Sequence, residues 1–472
     1  MTQTEIKMTM DQETALESMN EWLYKKVENA DDCLFSLTGS AGTGKTTLVK
    51  NFIDSLNYPY KSRVCVSAPT HKAKKVISFK SGCDESSTVQ ALLGLKPDLD
   101  LAEFDVNNPT FSATNQKLMN NFRLIIIDEA SMVNADLFQV IVEEAASKKT
   151  KILFIGDLKQ LPPIKEEISL TLSKPVYKYN LTQVVRQEVT NPLINLLECL
   201  RNDIDHGTDN YKRMLEEYPI SINDKGEGYE VLSVPQDAGT KLGEYFVRAS
   251  SLNDKNHVRF IAWTNDCIQS VNKYIRDKGF KFTIPLNNGE TLLAYKTLID
   301  DQDNVRIVNS EDYIVNSITE RIDHLGIKVW VCELKCIDTD MKTMVNIVIP
   351  LPDNYETYLI ERQDLLNVAL LKRGKAWKAY YAFRNSYCLL ESLVENKKVI
   401  DGKDLDYGYG ITIHKSQGST YENVFVHGKD INQMVKFATS RGTEAIRRAE
   451  LDCKKLWYVA LSRASHKAYI IY

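Results

Sequence analysis

The sequence predicts an α/β protein made of two parallel-sheet domains carrying small inserted modules. Three observations predict it. Short apolar runs in the N-terminal half each end in a polar cluster and lead into a helical pattern. The same rhythm restarts near Arg259 and returns in the last seventy or so residues. The runs are also apolar throughout rather than alternating, as in strands buried on both faces of a helix-covered sheet. In such sheets the working groups collect beyond the carboxyl ends of the strands.

Taken in order, CLFSLTG (33–39) precedes a glycine-rich loop and the helical run KTTLVKNFIDSL (45–56). RVCVSAP (63–69) precedes THKAKKVISF (70–79), and FRLIIIDEA (122–130) and TKILFIGD (150–157) complete the set. Between Thr88 and Phe122 the rhythm breaks. Pro97-Asp98 and Asn107-Asn108-Pro109 are turn signals there, and the segment reads as a small protruding insertion of hairpin type. A second cycle opens with VRFIAWTN (258–265) and DCIQSVNKYIRDKG (266–279). Residues 281–350 hold short alternating runs, IVNSITERI (314–322), IKVWVCELKCI (327–337) and MVNIVIP (344–350), expected to form a small β-barrel-like module. From Asp353 to about Lys398 the chain is polar with almost no glycine or proline, which predicts a projecting helical pair. The α/β pattern resumes at YGYGITIHKSQG (407–418) and ends with KLWYVALSRASHKAYIIY (455–472). The expected organisation is a first domain over 1–190 with its insertion at about 94–120, and a second over 191–280 and 403–472. The β module at 281–402 interrupts the second, with the helical projection at about 353–398.

Composition narrows the class. The 472 residues are 43% hydrophobic and 26% charged, enough for two to four compact domains. No run of about twenty apolar residues occurs, and the N-terminus lacks the basic patch and apolar core of a signal peptide. No membrane association is expected, and the expected location is cytoplasmic (host cytoplasm for a phage-encoded chain). The nine cysteines form no CxxC pair. Cys332 and Cys336 fall on one face of the expected strand, without two further ligands nearby, and read as reduced core thiols. A net charge of −4 does not advertise nucleic-acid binding, but a motor tracking a backbone needs local rather than global positive potential.

The chemistry is concentrated in a few places. Gly39, Ser40, Ala41, Gly42, Thr43 and Gly44, followed by Lys45, Thr46 and Thr47, form a GxxxxGK[ST] loop between a strand and a helix. Such a loop wraps backbone N–H groups around phosphates at a helix N-terminus. Lys45 is placed for the β- and γ-phosphates and Thr46 for Mg²⁺. The bland alternative, a glycine-rich turn with no ligand, does not account for the strand–loop–helix setting. Asp128 and Glu129 follow four apolar residues, where Asp128 is suited to Mg²⁺ and Glu129 to polarising the attacking water. Gln160, in GDLKQLPP (156–163), sits at another expected strand end, where its amide could sense the γ-phosphate. Arg186 in LTQVVRQ (181–187) and Arg463 in YVALSRA (458–464) are candidate arginine fingers. Taken singly, each arginine reads as an ordinary surface or salt-bridged residue.

The ordered set TMDQ (9–12), GSAGTGKTT (39–47), APTHKAKK (68–75), TVQALLG (88–94), DEASMV (128–133), GDLKQLPP (156–163), LTQVVRQ (181–187), ITIHKSQGST (411–420) and YVALSRA (458–464) resembles the motifs of superfamily-1 helicases. Order and spacing resemble the RecD-like 5′→3′ branch, and the compact size resembles its bacteriophage members. The resemblance spans almost the whole chain and is faintest in the inserted modules. It implies two RecA-like domains with ATP and Mg²⁺ between them and single-stranded DNA across their top. It further implies adenine recognition by Gln12 and an approach of Gly418 to the nucleotide. Gln160, Arg186 and Arg463 are implied to close on the γ-phosphate. DNA contacts are implied for Pro69, Thr70, His71 and Thr88, and for Thr412, His414, Lys415 and Ser416. Hydroxyl, imidazole and backbone donors of this kind hold phosphates without reading sequence; for the two histidines the alternative is a local cap or core hydrogen bond.

The resemblance implies that the insertion after Thr88 is a strand-separating pin, with Phe104 or Phe111 as its apolar tip; anchoring of the loop on its own domain is the alternative for both. It also implies an SH3-like β module with a helical tower. Trp377, Tyr380, Tyr381 and Phe383 read there as a packed helical seam. The expected activity is ATP-driven 5′→3′ movement on single-stranded DNA with unwinding of duplex DNA. The expected partners are single-stranded DNA and single–double-strand junctions, with a single-strand-binding protein or replication and recombination proteins beside them, and the expected state is a monomer. A DNA-stimulated ATPase that remodels protein–DNA complexes is the rival reading. A small-molecule kinase is a second, though it has no use for Gln160, two arginine fingers and a second α/β domain.

Overall fold

The computed structural model describes residues 8–95, 117–163, 166–183, 190–252, 254, 256–300, 304–337, 342–348, 352–395 and 398–472. Phe104, Phe111 and Arg186 lie outside the described residues. The chain divides into two compact units, Met1–Gly239 with Lys255–Ile268 and Ile411–Tyr472, and Thr240–Asp254 with Gln269–Gly410.

The first unit holds two six-stranded sheets. In the first, the strand order is Ser86–Thr88, Val64–Ala68, Leu124–Ile127, Lys151–Gly156, Leu34–Gly39 and Tyr177–Leu181, and every neighbouring pair is parallel. Alternate residues of these strands enter two cores. Leu37, Val66, Ile126 and Leu153 pack with Met19, Trp22, Leu48 and Phe52. Leu34, Cys65, Ile125 and Phe154 pack with Val89, Leu92, Leu137 and Ile141. Burial on both faces is why these strands read as unbroken apolar runs. Helices Met10–Tyr24, Lys45–Ser55, His71–Ser81 and Ala135–Lys148 supply the covering side chains.

The second sheet runs Gly410–Thr412, Val258–Ala262, Tyr421–His427, Ala464–Ile471, Gly228–Leu232 and Ile220–Ile222. Val258–Ala262, Tyr421–His427, Ala464–Ile471 and Gly228–Leu232 are parallel neighbours, and Ile220–Ile222 adds an antiparallel edge. Helix Thr443–Leu461 leads directly into Ala464–Ile471 and buries Leu456, Trp457, Tyr458 and Val459. Two parallel sheets of this kind form a RecA-like α/β architecture.

The second unit is built on a mixed sheet ordered Tyr387–Leu389, Lys342–Val348, Lys328–Cys336, Asp312–Ile322, Thr291–Ala294 and Leu405–Tyr407. Its pairs are antiparallel except Lys342–Val348 with Tyr387–Leu389. Cys332 and Cys336 both lie in its core with Leu334 and Ile347, as free thiols. Helices Pro352–Lys372 and Lys375–Asn385 follow the strands. Helix was expected as far as about residue 398, but it stops at Asn385. Tyr387, Cys388 and Leu389 are buried and pair with Lys342–Val348, so tertiary burial decides against helix there. Arg384 fixes the helix to the sheet through Asp401 at 2.5 Å and Asp404 at 2.9 Å. The aromatic seam is partly as expected: Tyr380 is buried, Phe383 stacks on Tyr358 at 5.3 Å, and Tyr381 is exposed. Among the described residues no helix is long and apolar enough to cross a membrane.

Candidate active site

Strand Leu34–Gly39 ends where backbone freedom is needed. Gly42 and Gly44 take φ of 89° and 77°, left-handed values that glycine adopts without Cβ strain, and the turn delivers the chain into helix Lys45–Ser55. Gly39 is required for a different reason, because a methyl group there would lie 2.7 Å from Thr43 Oγ1 and 3.0 Å from Leu181 Cβ. Lys45 Nζ donates to Gly39 O at 2.6 Å and Ser40 O at 3.0 Å. Thr43 is buried and Ser40, Ala41, Thr46 and Thr47 are half-buried. Gln12 belongs to this loop. Its side chain donates to Thr43 O at 3.1 Å while forming a reciprocal cap with Thr9 at the start of helix Met10–Tyr24.

Asp128 and Glu129 follow strand Leu124–Ile127, which is separated from the lysine loop's own strand, Leu34–Gly39, by Lys151–Gly156. Glu129 takes φ of 49°, a strained value for a non-glycine residue. Burial pushes the Asp128 carboxyl up, opposed by the Glu129 N–H and by the Lys45 charge. Burial pushes Glu129 up as well, and the Asp128 charge adds to it, while Arg463 and Lys45 draw it back. Lys45 stands on the first sheet and Arg463 on the helix–strand junction of the second, so cations from both sheets act on one carboxyl. Arg463 is itself held by Val459 O at 3.1 Å, Ser419 O at 3.2 Å and Ser462 Oγ at 2.8 Å. Gly418 has φ of 74°, and a methyl group there would lie 3.7 Å from Glu129 Oε1 and 3.4 Å from Ala73 Cβ.

Strand Lys151–Gly156 brings Asp157 and Gln160 to the same edge. Gln160 Oε1 is buried with no hydrogen-bond partner among the described residues, as is Gln417 Nε2 beside Gly418. Buried polar atoms left this way are costly unless a ligand or water satisfies them. An acceptor at Gln160 suits a water proton, and a donor at Gln417 suits an anionic oxygen. Asp157 accepts from Lys159 N at 2.9 Å and from the Tyr458 hydroxyl at 2.8 Å. Asp157, Gln417 and Tyr458 were not singled out from sequence, although all three stand within the quoted motifs.

The residues expected to touch DNA also collect at strand ends. Sheet register sets Thr88 opposite Ala68, beside Pro69 and Thr70. Thr70 and Thr88 both cap helices, accepting from Ala73 N at 3.2 Å and Ala91 N at 3.3 Å. Burial, with Lys74 and Lys75 adding, pushes the His71 imidazolium down to about 4, and burial lowers His414 too. Both rings are therefore neutral near pH 7. Thr412 and Ser416 are buried, and Ser416 Oγ donates to Ile413 O at 2.7 Å. His414 and Lys415 are half-buried in the turn that places Gly418 against the helix following His71.

A family profile described as an AAA domain matches residues 21–214, which hold the lysine loop, the Asp128–Glu129 pair and Gln160. The chain is 29% identical over 271 residues to the ATP-dependent DNA helicase dda of Enterobacteria phage T4, a match spanning 56% of each chain. It is 24% identical over 466 residues to the RecBCD enzyme subunit RecD of Buchnera aphidicola, covering 88% of this chain and 70% of that one. In sequence the chain is thus similar to ATP-dependent DNA helicases of the dda and RecD kind. A likeness to Pif1 helicases is one of fold. The Pif1 helicase from Bacteroides, in complex with ADP-AlF3 and ssDNA, superposes with a TM-score of 0.51 at 17% identity, covering 98% of this chain and 92% of that one. A Pif1 structure described for DNA unwinding at forked dsDNA gives 0.52 at 17%, over the same shares of both chains. Against the T4 helicase this chain matches a little over half of the relative's length.

Proposed function

We propose that this chain is an ATP-dependent DNA helicase that translocates 5′→3′ on single-stranded DNA and unwinds duplex DNA. The observation that carries the reading is that both sheets build one cleft: Gly418 lies against Glu129, and Tyr458, five residues before Arg463, bonds Asp157 and the Ala41 N–H of the lysine loop. A site assembled from two lobes changes when its nucleotide does, and that is what turns hydrolysis into motion. In this reading Lys45 and the backbone from Gly39 to Gly44 hold the phosphates, and Gln12 recognises the adenine. Glu129 orients the attacking water, Gln160 reports on the γ-phosphate, and Arg463, with Arg186, meets the charge that develops during transfer.

Thr46 and Asp128 are the residues that would hold Mg²⁺. The donor set fits, because the Asp128 carboxyl is half-buried at the end of strand Leu124–Ile127, with Lys45 and Lys80 as the cations acting on it, and a divalent ion would compensate its charge. Bound there, the ion neutralises phosphate oxygens. Pro69, Thr70, His71, Thr88, Thr412, His414, Lys415 and Ser416 are the proposed track for single-stranded DNA. The segment at about 94–120, with Phe104 and Phe111, is the proposed pin. The mixed sheet and helix pair of the second unit are the proposed SH3-like module and tower. Proposed partners are single-stranded DNA and single–double-strand junctions, with a single-strand-binding protein or replication and recombination proteins beside them, and a monomer is the proposed state.

The test is ATP hydrolysis with and without single-stranded DNA, run beside strand displacement on duplexes bearing a 5′ or a 3′ tail. Stimulated hydrolysis with unwinding from the 5′ tail is expected. Unwinding only from 3′ tails overturns the polarity. Stimulated hydrolysis without displacement moves the chain to the class of remodelling ATPases, and no stimulation by DNA removes the motor.

A further inference from the structure

Tyr458 is fully buried on helix Thr443–Leu461, five residues before Arg463. Its hydroxyl meets the first sheet twice. It donates to Asp157 Oδ2 at 2.8 Å and accepts from the Ala41 N–H at 3.4 Å. The short contact is charge-assisted and the long one weak. Burial, and then the Asp157 charge, push the phenol far above its ordinary range, so the hydroxyl keeps its proton and commits it to the carboxylate. Asp157 is itself 3% exposed and uses its other oxygen to accept from Lys159 N. Tyr458 thus ties three parts together: the phosphate loop, the end of strand Lys151–Gly156, and the helix that carries Arg463.

The two contacts differ in how easily they are exchanged. A backbone N–H that can choose between a neutral phenol and an anionic oxygen favours the anion. The Asp157 bond is the shorter, charge-assisted one and is the one retained. We propose that Tyr458 is a positioning residue whose hydroxyl, anchored by Asp157, gives up the Ala41 N–H when a phosphate enters the loop and so reports loop occupancy to the helix bearing Arg463. The inference rests on the reading of this cleft as a nucleotide site.

Tyr458→Phe keeps the ring and deletes only the hydroxyl; Asp157→Asn keeps the shape and deletes the charge. Amide exchange of the segment 39–47, in protein without nucleotide, is expected to quicken about tenfold in Tyr458→Phe. Exchange in helix Ala135–Lys148 should be unchanged, and saturating ADP should bring variant and parent to equal protection. In turnover, kcat is expected to fall about tenfold while KM for ATP stays level or falls, because a competitor for the loop is gone. The double variant should be no slower than Tyr458→Phe alone. Unchanged loop exchange, unchanged kcat, or additive losses overturn the proposal. Should Tyr458→Phe fail to fold, Asp157→Asn must show the same loop effect at smaller amplitude, and its absence overturns the proposal equally. A parent protein that hydrolyses no ATP would sink the nucleotide reading, while loop exchange without nucleotide would still judge the Tyr458 contact.

Discussion

Arg463→Lys keeps a positive charge at the cleft and removes the guanidinium fork. The fork spans three acceptors, Val459 O, Ser419 O and Ser462 Oγ, from three nitrogens. An ammonium has one nitrogen on a more flexible stem and holds one of these places, so two hydrogen bonds are lost. At about 1 kcal/mol each, folding stability falls by about 2 kcal/mol, a melting shift of roughly 5 °C for domains of this size. Catalysis should suffer far more. A positioned arginine contributes about 10³-fold or more to phosphoryl transfer, and a mobile ammonium near Glu129 recovers only part of that. A loss of about 10²–10³ in DNA-stimulated kcat is expected, with nucleotide affinity within a few-fold of the parent. The assay pairs steady-state turnover with equilibrium binding of a fluorescent ADP, both held well below the variant's melting temperature. A kcat within twofold of the parent would refute the finger assignment, and so would a loss confined to affinity.

Gly418→Ala places a side chain at φ of 74°, which costs about 1–2 kcal/mol. Its methyl group approaches Ala73 and Glu129 across the cleft, so turnover should drop severalfold with the melting temperature lower by a few degrees; full activity would show that the cleft does not close on this turn. Lys45→Ala should abolish nucleotide binding and hydrolysis yet leave the melting temperature nearly unchanged, because among the described residues the hydrogen bonds of its ammonium go to carbonyls of its own loop; retained ADP affinity contradicts the loop's role. His71 predicts a pH effect. Its folded-state value is about 4 against 6.5 for the free ring, so the unfolded chain takes up the proton first and stability drains away as pH falls from about 7 towards 4, by up to about 3 kcal/mol. Denaturant unfolding at pH 7.5 and 5 should show a smaller difference in His71→Gln than in the parent, and an equal difference refutes the half-buried neutral ring.

The parts legible in the sequence are those fixed by neighbours along the chain. Leu124–Ile127 is apolar at every position because both faces of its strand are covered, and Asp128–Glu129 must then fall at the strand's end. The lysine loop is equally local, with strand, glycines and helix contiguous. What escaped depends on distant segments. Nothing near Tyr458 indicates that its hydroxyl bonds Asp157, 301 residues away. Tyr387–Leu389 follows an unbroken helical pattern, and only its pairing with Lys342–Val348 makes it a strand. Thr70 and Thr88 illustrate a different gap. Each precedes a helical run and has the residue type of an N-cap, a local signal that is satisfied in the fold whatever else the hydroxyl does.

The contacts joining the two parallel sheets differ in kind from those inside them. Each sheet is held by buried apolar cores, whereas several of the links between sheets are polar: Tyr458 to Asp157, Arg448 to Glu167 at 2.7 Å, Lys159 to Asp205, and Lys72 over the Tyr421 ring at 5.3 Å. Exposed ion pairs such as Arg448–Glu167 contribute roughly 0–1 kcal/mol each, and a cation over a buried ring such as that of Tyr421 up to about 2 kcal/mol. A small set of such links sums to a few kcal/mol, while unfolding either core would cost far more. Shifting a two-state equilibrium from one side to the other takes about 5.5 kcal/mol of differential affinity. In the proposed reading, that difference would come from a triphosphate engaging Lys45 and Arg463 together where a diphosphate engages the loop alone. These links are weaker than the apolar cores on either side of them, so the proposed nucleotide can shift the sheets against each other without disturbing either one.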